Sequence, residues 1–284
     1  YYAVYTYDLV GNFSAAAFAQ AMPVIPTDQI HPRAPGGIRG VFDAAYTKFT
    51  LQWSAVTTNE DTSTTDDLKE YEIYRSADIK SIFSSNNILQ RVDQSKTTYT
   101  DDGMNSGFYY YGVRACDRVG NQSAYSMIID TSKDMNMYSL SDDMNSYIEI
   151  PSRLGYDIWA GYNGIEEDIV FDIAHKGNEE TGRVVRSYAF ESIEAMQQRK
   201  LSKFAFSKPE AKIVLAYNVV DGQIIQGDAR HAPVVPTSID AGKAADMIAL
   251  YWFNGTAWIK VGGHVDTAKQ TISGGDTART GHRS

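Results

Sequence analysis

Residues 110–124 read YYGVRACDRVGNQSA, and residues 1–15 read YYAVYTYDLVGNFSA. Each stretch begins with the side-chain alternation of a β-strand, breaks at an Asp-x-Val-Gly-Asn turn and resumes as a second strand, which is the pattern of a β-hairpin. A segment that recurs at a fixed offset indicates a repeated structural unit. Because the offset is close to the ~100 residues of a typical all-β domain, we interpret the two stretches as the same hairpin in two consecutive domains.

The first strand of the 110–124 hairpin and two strands that precede it share the same period-two alternation. The residues predicted to face inward are Phe49, Leu51 and Trp53; Tyr71 and Ile73; and Tyr109, Tyr111, Val113 and Ala115. Tyr109 follows Gly107 at the start of its strand, where the tyrosine corner of a β-sandwich lies. Cys116 comes one residue after an inward position, so its thiol is predicted to face outward or to lie on the rim.

These strands resemble those of fibronectin type III modules, on the evidence of residues 51–53 (LQW), 71–76 (YEIYRS) and 109–115 (YYYGVRA). Residues 115–123 resemble the bacterial versions, whose penultimate strand ends in Ala-x-Asp-x-x-Gly-Asn-x-Ser. The resemblance covers residues 34–132 and implies a seven-stranded sandwich that serves as a spacer or adhesive unit. Residues 1–24 are accordingly assigned to the last strands of a preceding copy. Residues 25–33 lie in a proline-rich stretch that is interpreted as a rigid linker.

From about residue 133 the strand signals are spaced further apart, which indicates a different domain. Strands are predicted at 147–150, 168–173, 184–190, 212–217, 247–253 and 256–261, with short helices at 192–199 and at 241–245. Ser238 is predicted to cap the second helix, and Asn254-Gly255 to form a type I′ turn between the last two strands. The order of these motifs resembles β-sandwich modules of ankyrins and netrin receptors. The chain is therefore predicted to be all-β, with residues 133–284 as a second kind of sandwich that lacks its final strand.

The composition narrows the function classes. A net charge of −9 argues against a nucleic-acid partner, because phosphate binding needs a surplus of Lys and Arg. Cys116 is the single cysteine, which excludes a disulfide framework within the chain and a cysteine-based zinc site. No run of about 18 apolar residues is present to span a membrane. The first residues already read as the middle of a strand, so the chain is interpreted as a piece of a longer protein.

No pattern of catalytic residues stands out. The five histidines are scattered without a nucleophile motif beside them, and the chain is predicted not to be an enzyme and to need no cofactor. The C-terminal His282-Arg283-Ser284 resembles the His-x-Ser loop at which some netrin-receptor-type sandwiches cleave themselves. A cleaved fragment would end at Arg283, and the retained Ser284 argues against that reading.

Acidic residues offer one weak metal site. Asp61, Asp66, Asp67 and Asp117 could supply carboxylate oxygens to calcium, which takes six to eight oxygen ligands. Their spacing matches no known calcium loop. The competing explanation is a solvated loop together with turns that Asp and Asn stabilise without a metal.

Aromatic residues offer a second weak site. Trp159, Tyr251 and Trp252 could stack against sugar rings, and Tyr251 and Trp252 face opposite sides of their strand, so one of the two is predicted to be exposed. The competing explanation is that these rings fill the core of the sandwich.

The leading functional hypothesis is a non-catalytic structural or adhesive segment of an extracellular or cell-surface protein. Its partners would be other protein subunits, as in a filament or lattice, or surface components such as polysaccharide. The alternative is an accessory spacer or carbohydrate-binding portion of a large secreted enzyme. A third class, receptor-like recognition through loops, lacks the Arg-Gly-Asp adhesion tripeptide.

Overall fold

The computed structural model describes residues 28–104, 107–151, 169–176, 184–194, 199–201, 211–226 and 235–274, together with two short strands near the N-terminus. The strands are β1 (Ala3–Val4), β2 (Ala17–Phe18), β3 (Arg39–Phe42), β4 (Phe49–Gln52), β5 (Leu68–Ser76), β6 (Ile88–Asp93), β7 (Thr98–Asp101), β8 (Tyr110–Asp117), β9 (Ile128–Asp130), β10 (Met137–Leu140), β11 (Tyr147–Ile150), β12 (Ile169–Lys176), β13 (Ser187–Glu194), β14 (Arg199–Lys200), β15 (Lys212–Ala216), β16 (Asn218–Val220), β17 (Gln223–Gln226), β18 (Val235–Asp240), β19 (Leu250–Phe253), β20 (Trp258–Gly262), β21 (His264–Asp266) and β22 (Thr271–Gly274). Short 3₁₀ turns occupy Ile79–Ser81, Ser85–Asn87 and Ala241–Lys243, and one helical turn, α1, spans Ala244–Met247.

A fibronectin type III-like sandwich forms the first half of the described chain. The sheet β3-β4-β7 packs against the strands β6-β5-β8-β9. Between them lies a core of fully buried side chains that includes Phe49, Leu51, Tyr71, Ile73 and Tyr111. The inward alternation predicted for these strands is confirmed. Near the N-terminus, β1 pairs antiparallel with β2, as the hairpin predicted for the first copy requires.

The second sheet of the sandwich does not end at β9. It continues strand by strand into the C-terminal half, in the order β6-β5-β8-β9-β10-β11-β15-β22-β21. The link is antiparallel pairing of β9 with β10, where Ile129 lies opposite Met137. Ile148, Ile150 and Phe171 belong to the same buried cluster as the core of the sandwich. The two halves of the described chain therefore share one sheet and one core.

The opposite face of this shared sheet is also covered. The segment between β5 and β6 folds over it and packs Ile79, Ile82 and Phe83 against Tyr74 and Tyr138. A Cβ atom on Gly112 of β8 would lie 2.6 Å from the Phe83 ring, so the close approach of this segment requires glycine. Around Gly112 both faces of β8 are therefore covered by protein.

Burial of both faces corrects the prediction for Cys116, which is 6% exposed and not outward-facing. Gln122 folds back beside it in an isolated β-bridge, and Glu70 lies opposite on β5. The alternation itself holds, because Ala115 belongs to the sandwich core and Cys116 does not, but the inference of exposure fails because the face that carries Cys116 is covered as well.

Small sheets complete the C-terminal half: β12-β13-β14, β16-β17-β18 and the two-stranded ribbon β19-β20. All six predicted strands are present: the strand at 147–150 has the predicted bounds, and the other five have shifted bounds. The helix predicted at 192–199 is wrong over its first residues, because Ser192 lies on β13 opposite Phe171 and is part of a long antiparallel pair. The turn at Ala241–Lys243 is present, but Asp240 caps it by accepting from the Gly242 N–H, while Ser238 lies on β18.

The turn of the ribbon also differs from the prediction. Type I′ needs positive φ at both central residues, and only Gly255 has it, at 97°. Asn254 instead accepts hydrogen bonds through its side chain from the Thr256 and Ala257 amides. Among the described residues, no helix is long and apolar enough to cross a membrane.

Candidate functional site

The structure brings three carboxylates together at one end of the sandwich. Ligand oxygens of Asp28, Asp67 and Asp117 all lie within 4.8 Å of one another. Two of them, Asp67 and Asp117, were predicted from the sequence, and Asp28 was not. Asp61 and Asp66 do not belong to this group. Asp61 instead accepts hydrogen bonds from the Ser63 amide and hydroxyl in its own exposed loop.

Asp117 is held by the Asp-x-Val-Gly-Asn turn of residues 117–121. Its Oδ1 accepts from the backbone N–H groups of Val119, Gly120 and Asn121 at 2.7–3.0 Å. Gly120 has a φ of 99°, a value that disfavours any residue with a side chain. The motif is thus explained by a turn that wraps its amides around a buried carboxylate.

Asn121 and Gln122 form hydrogen bonds with residues 28–31, the segment that leads into the sandwich. The Asn121 side-chain amide donates to the Asp28 carbonyl at 3.0 Å and to the Asp117 carboxylate at 2.8 Å. The His31 Nδ1 donates to the Gln122 carbonyl at 2.8 Å. These contacts place the Asp28 carboxylate beside Asp67 and Asp117, which no reading of the sequence could have shown because residues 28 and 117 are distant in the chain.

The electrostatics of the three carboxylates are unfavourable. Burial raises the pKa of Asp67, and the charges of Asp117 and Asp28 raise it further. The repulsion among the three carboxylates would be reduced by protonation of one of them or by a bound cation. Three carboxylates supply only part of the six to eight oxygens that calcium takes, and the calcium site therefore stays a prediction.

A buried arginine is the least satisfied polar side chain of the described chain. Arg33 is 5% exposed, and none of its three guanidinium nitrogens has a hydrogen-bond partner. Asn59 forms a β-bridge with Pro32, the residue before Arg33. The Oδ1 atom of Asn59 is also buried without a hydrogen-bond partner. All of these atoms are sealed from solvent, so the pair provides no accessible binding site.

The aromatic candidates lie on the ribbon β19-β20. Tyr251 and Trp252 are 52% and 39% exposed, so both are at the surface, not only one as predicted. Phe253 is 47% exposed and packs its ring 5.2 Å from that of Trp258. Trp159 lies outside the described residues.

A buried polar network ties β10, β11, β13 and β15 together. The Arg186 guanidinium donates to the Asp143 carboxylate at 3.0 Å, and both side chains are almost fully buried. The Tyr188 hydroxyl donates to Asp143 at 3.1 Å and accepts from Ser146 at 2.8 Å. Burial raises the pKa of Asp143, but hydrogen bonds from Ser141 and Asn145 and the charge of Arg186 outweigh it, so the net pKa is lowered. This network is structural, because it is sealed in the interior.

The reactive-residue candidates are not assembled into a catalytic site in the described chain. Burial, followed by the charges of Glu72 and Glu70, raises the pKa of the Cys116 thiol to about 11. His31 is bonded to a backbone carbonyl, and His264 lies on β21 at the sheet edge. His282, Arg283 and Ser284 lie outside the described residues.

Comparison with known proteins yields structural neighbours alone. No family model and no curated protein matches the chain. A Fn3-like protein from Clostridium thermocellum is 24% identical over 34% of this chain and 88% of its own, with a TM-score of 0.25. The sixth fibronectin type III domain of a human protein is 19% identical over 35% and 82% of the two chains, with a TM-score of 0.27.

A pectate lyase from Pectobacterium carotovorum is 15% identical over 35% of this chain and 27% of its own, with a TM-score of 0.26. The chain thus spans about a quarter of that enzyme. At these TM-scores the neighbours carry no argument about activity or partners, and the fibronectin type III-like assignment rests on the strand order and core of the chain itself.

Proposed function

We propose that the chain is a non-catalytic structural segment of an extracellular or cell-surface protein, in which the sandwich and the C-terminal half act as one stiff spacer. The observation that carries the proposal is the sheet that runs from β6 to β21 through the pairing of Ile129 with Met137. Domains joined by a linker move relative to each other by default. A hydrogen-bonded ladder and a shared core across the junction remove that freedom.

Stiffness is testable by distance measurement between spin labels. Val41 on β3 is 53% exposed, and Lys212 on β15 is also at the surface. The pair Val41→Cys with Lys212→Cys spans the junction, and the pair Val41→Cys with Lys69→Cys lies within the sandwich. We expect equally narrow distance distributions for both pairs. A much broader distribution across the junction would refute the stiff spacer. Cys116 is expected to stay unlabelled because it is buried.

The extracellular location is a separate part of the proposal. It is supported by the resemblance to bacterial fibronectin type III modules, including their Asp-x-x-Gly-Asn turn, seen here from Asp117 to Asn121. The full-length precursor sequence tests it. A secretion signal and further repeats upstream would support it, and a cytosolic N-terminal domain would remove its basis.

A second candidate function is carbohydrate binding as the accessory portion of a secreted enzyme. The exposure of Tyr251 and Trp252 favours it, because protruding aromatic rings present apolar faces to a ligand. Retention on polysaccharide columns should then fall in Trp252→Ala and not in Tyr125→Ala, whose ring is 37% exposed on the sandwich. Equal retention of both variants and the wild type would count against this candidate.

A further inference from the structure

Exposed apolar side chains are concentrated on the ribbon β19-β20. Its strands carry six large hydrophobic side chains that are 39–52% exposed: Tyr251, Trp252, Phe253, Trp258, Ile259 and Val261. β19 pairs only with β20, so its outer edge has no strand partner among the described residues. The ribbon is anchored to the shared sheet at its base, where a Cβ atom on Gly274 of β22 would lie 2.8 Å from Leu250.

The register shows which backbone groups this edge offers. The Asn254 N–H donates to the Ala257 carbonyl, so residues 254 and 257 form a hydrogen-bonded pair across the turn. Hydrogen-bonded and non-bonded pairs alternate in an antiparallel ladder. Trp252 therefore bonds to its neighbour Ile259, and the N–H and C=O groups of Tyr251 and Phe253 point away from β20.

The two edges of the ribbon differ in how they are protected. Exposed edges are usually blunted by charge, proline or a bulge. The β20 edge carries Lys260 and the bulged position near Val261, because Leu250 pairs with Gly262 while Tyr251 pairs with Lys260. Residues 250–253 read LYWF, without charge or proline, so β19 itself carries no residue that would protect its edge.

We propose that two copies of this chain associate through β19, antiparallel, about a two-fold axis that passes by Trp252. Tyr251 of one copy then exchanges N–H to O=C hydrogen bonds with Phe253 of the other, and symmetry repeats the exchange. The outward N–H and C=O groups of β19 belong to the residues immediately before and after Trp252. A two-fold rotation about Trp252 therefore brings the groups of each residue opposite those of the other, and the edge is complementary to a second copy of itself. Each Trp252 faces its own symmetry mate across the axis.

The available area sets the strength of this contact. An aromatic side chain buries ~150–250 Å² when fully covered, so the exposed parts of Tyr251, Trp252 and Phe253 offer roughly 250 Å² per copy. A stable interface buries about 800 Å² per partner. The dimer is therefore a weak one that forms at high concentration or between chains already held side by side. The proposal rests on the structural role proposed above and adds to it how copies join.

Proline substitution tests the edge without breaking the ribbon. Tyr251→Pro removes an outward N–H that the pairing with β20 does not use. Lys260→Pro removes the matching outward N–H on the opposite edge and is the control. The measurement is sedimentation equilibrium of the full chain at about 0.5 mM, a concentration at which weak homodimers are populated. The apparent mass of the wild type and of Lys260→Pro should approach twice the 31.5 kDa monomer mass. Tyr251→Pro should stay monomeric.

Disulfide trapping tests the axis itself and does not depend on the proline variants folding. Facing residues of a non-bonded antiparallel pair have Cα atoms ~4.5 Å apart, within disulfide range. Trp252→Cys should therefore form a covalent dimer under mild oxidation. Ile259→Cys lies on the same face, but on each copy it is one strand further from the axis. The two cysteines at position 259 are therefore roughly 14 Å apart and should not form a disulfide. The buried Cys116 adds no background.

Three results would overturn the proposal: a monomeric wild type at this concentration, a dimer that survives Tyr251→Pro, or no preference of cross-linking for position 252 over 259. None of them bears on the stiff junction, because the labelled positions Val41, Lys69 and Lys212 are not on the ribbon. Conversely, a broad label distribution in a chain that still cross-links at 252 would refute the spacer and leave the dimer standing.

Discussion

Ile129 on β9 lies opposite Met137 on β10, and through this pair the sheet of the sandwich continues into the C-terminal half. The connection between the strands is short and well bonded: Asp130 accepts from the Ser132 and Asn136 amides and from the Tyr138 hydroxyl. Asp130 is 1% exposed. A buried carboxylate with this many donors fixes the turn at the point where a flexible linker would otherwise stand.

Asp143→Asn should destabilise the chain by about 3 kcal/mol or more, because it removes a buried carboxylate that pairs with the buried Arg186 guanidinium. The free energy of unfolding in urea measures this. Asp134→Asn, at an exposed position in the β9–β10 turn, is the control and should change stability by less than about 0.5 kcal/mol.

The same pair predicts a pH dependence. The pKa of Asp143 is lowered in the folded chain, so its contribution is present above the unfolded value of about 3.9 and is lost as the pH falls through the folded value. The stability gap between wild type and Asp143→Asn should therefore narrow on acidification. A gap that stays constant down to the lowest pH at which the chain folds would contradict the assigned ion pair.

Gly40→Ala should destabilise the sandwich by about 1–3 kcal/mol, because a Cβ atom there would lie 2.6 Å from Cε2 of the fully buried Phe49. Phe49→Leu removes the obstructing ring. In a double-mutant cycle by thermal denaturation, the combined variant should be more stable than the sum of the single effects predicts. Simple additivity would show that the two positions do not compete for space.

Arg33→Met should leave stability unchanged or raise it, by up to about 4 kcal/mol, because it replaces an unpaired buried charge with an apolar side chain of similar length. Arg91→Met is the contrasting variant. It removes two hydrogen bonds, at 2.9 and 2.7 Å, from the buried carboxylate of Glu72 and should be destabilising. Chemical denaturation of both variants distinguishes them, and a large loss in Arg33→Met would reveal a partner for the guanidinium.

Asp67→Asn should stabilise the chain near neutral pH. The pKa of Asp67 is raised by burial and by Asp117 and Asp28, so its ionised form costs stability above that pKa, and the cost disappears on acidification. A melting curve of each protein with and without calcium extends the test. If calcium binds the three carboxylates, the ion should raise the melting temperature of the wild type far more than that of Asp67→Asn. Equal response of the two proteins would remove the calcium prediction.

Cys116 should resist alkylation in the folded chain, at least about 100-fold more than in urea, because the thiolate is the reactive form and burial holds the thiol pKa near 11. The rate at pH 8 with a small alkylating reagent measures this. Rapid labelling of the folded chain would show that β8 is exposed on one face.

The sequence by itself determined the repeat, the sandwich and its inward residues. Those features depend on contacts that alternate with period two along one strand, and on a turn whose Asp, Gly and Asn act on their own backbone, so local residue order is enough to specify them. The same local logic located Asp67, Asp117, Tyr251 and Trp252 as candidates.

Only the tertiary structure decided how these parts meet. The pairing of Ile129 with Met137 joins two halves that differ in their sequence pattern. Hydrogen bonds from the Asn121 side chain hold Asp28 beside Asp117. Cys116 is buried because Gln122 folds back beside it and Glu70 lies opposite it on β5. Each of these results depends on which surface lies next to a given residue, and alternation along one strand says which side a residue takes but not what covers that side.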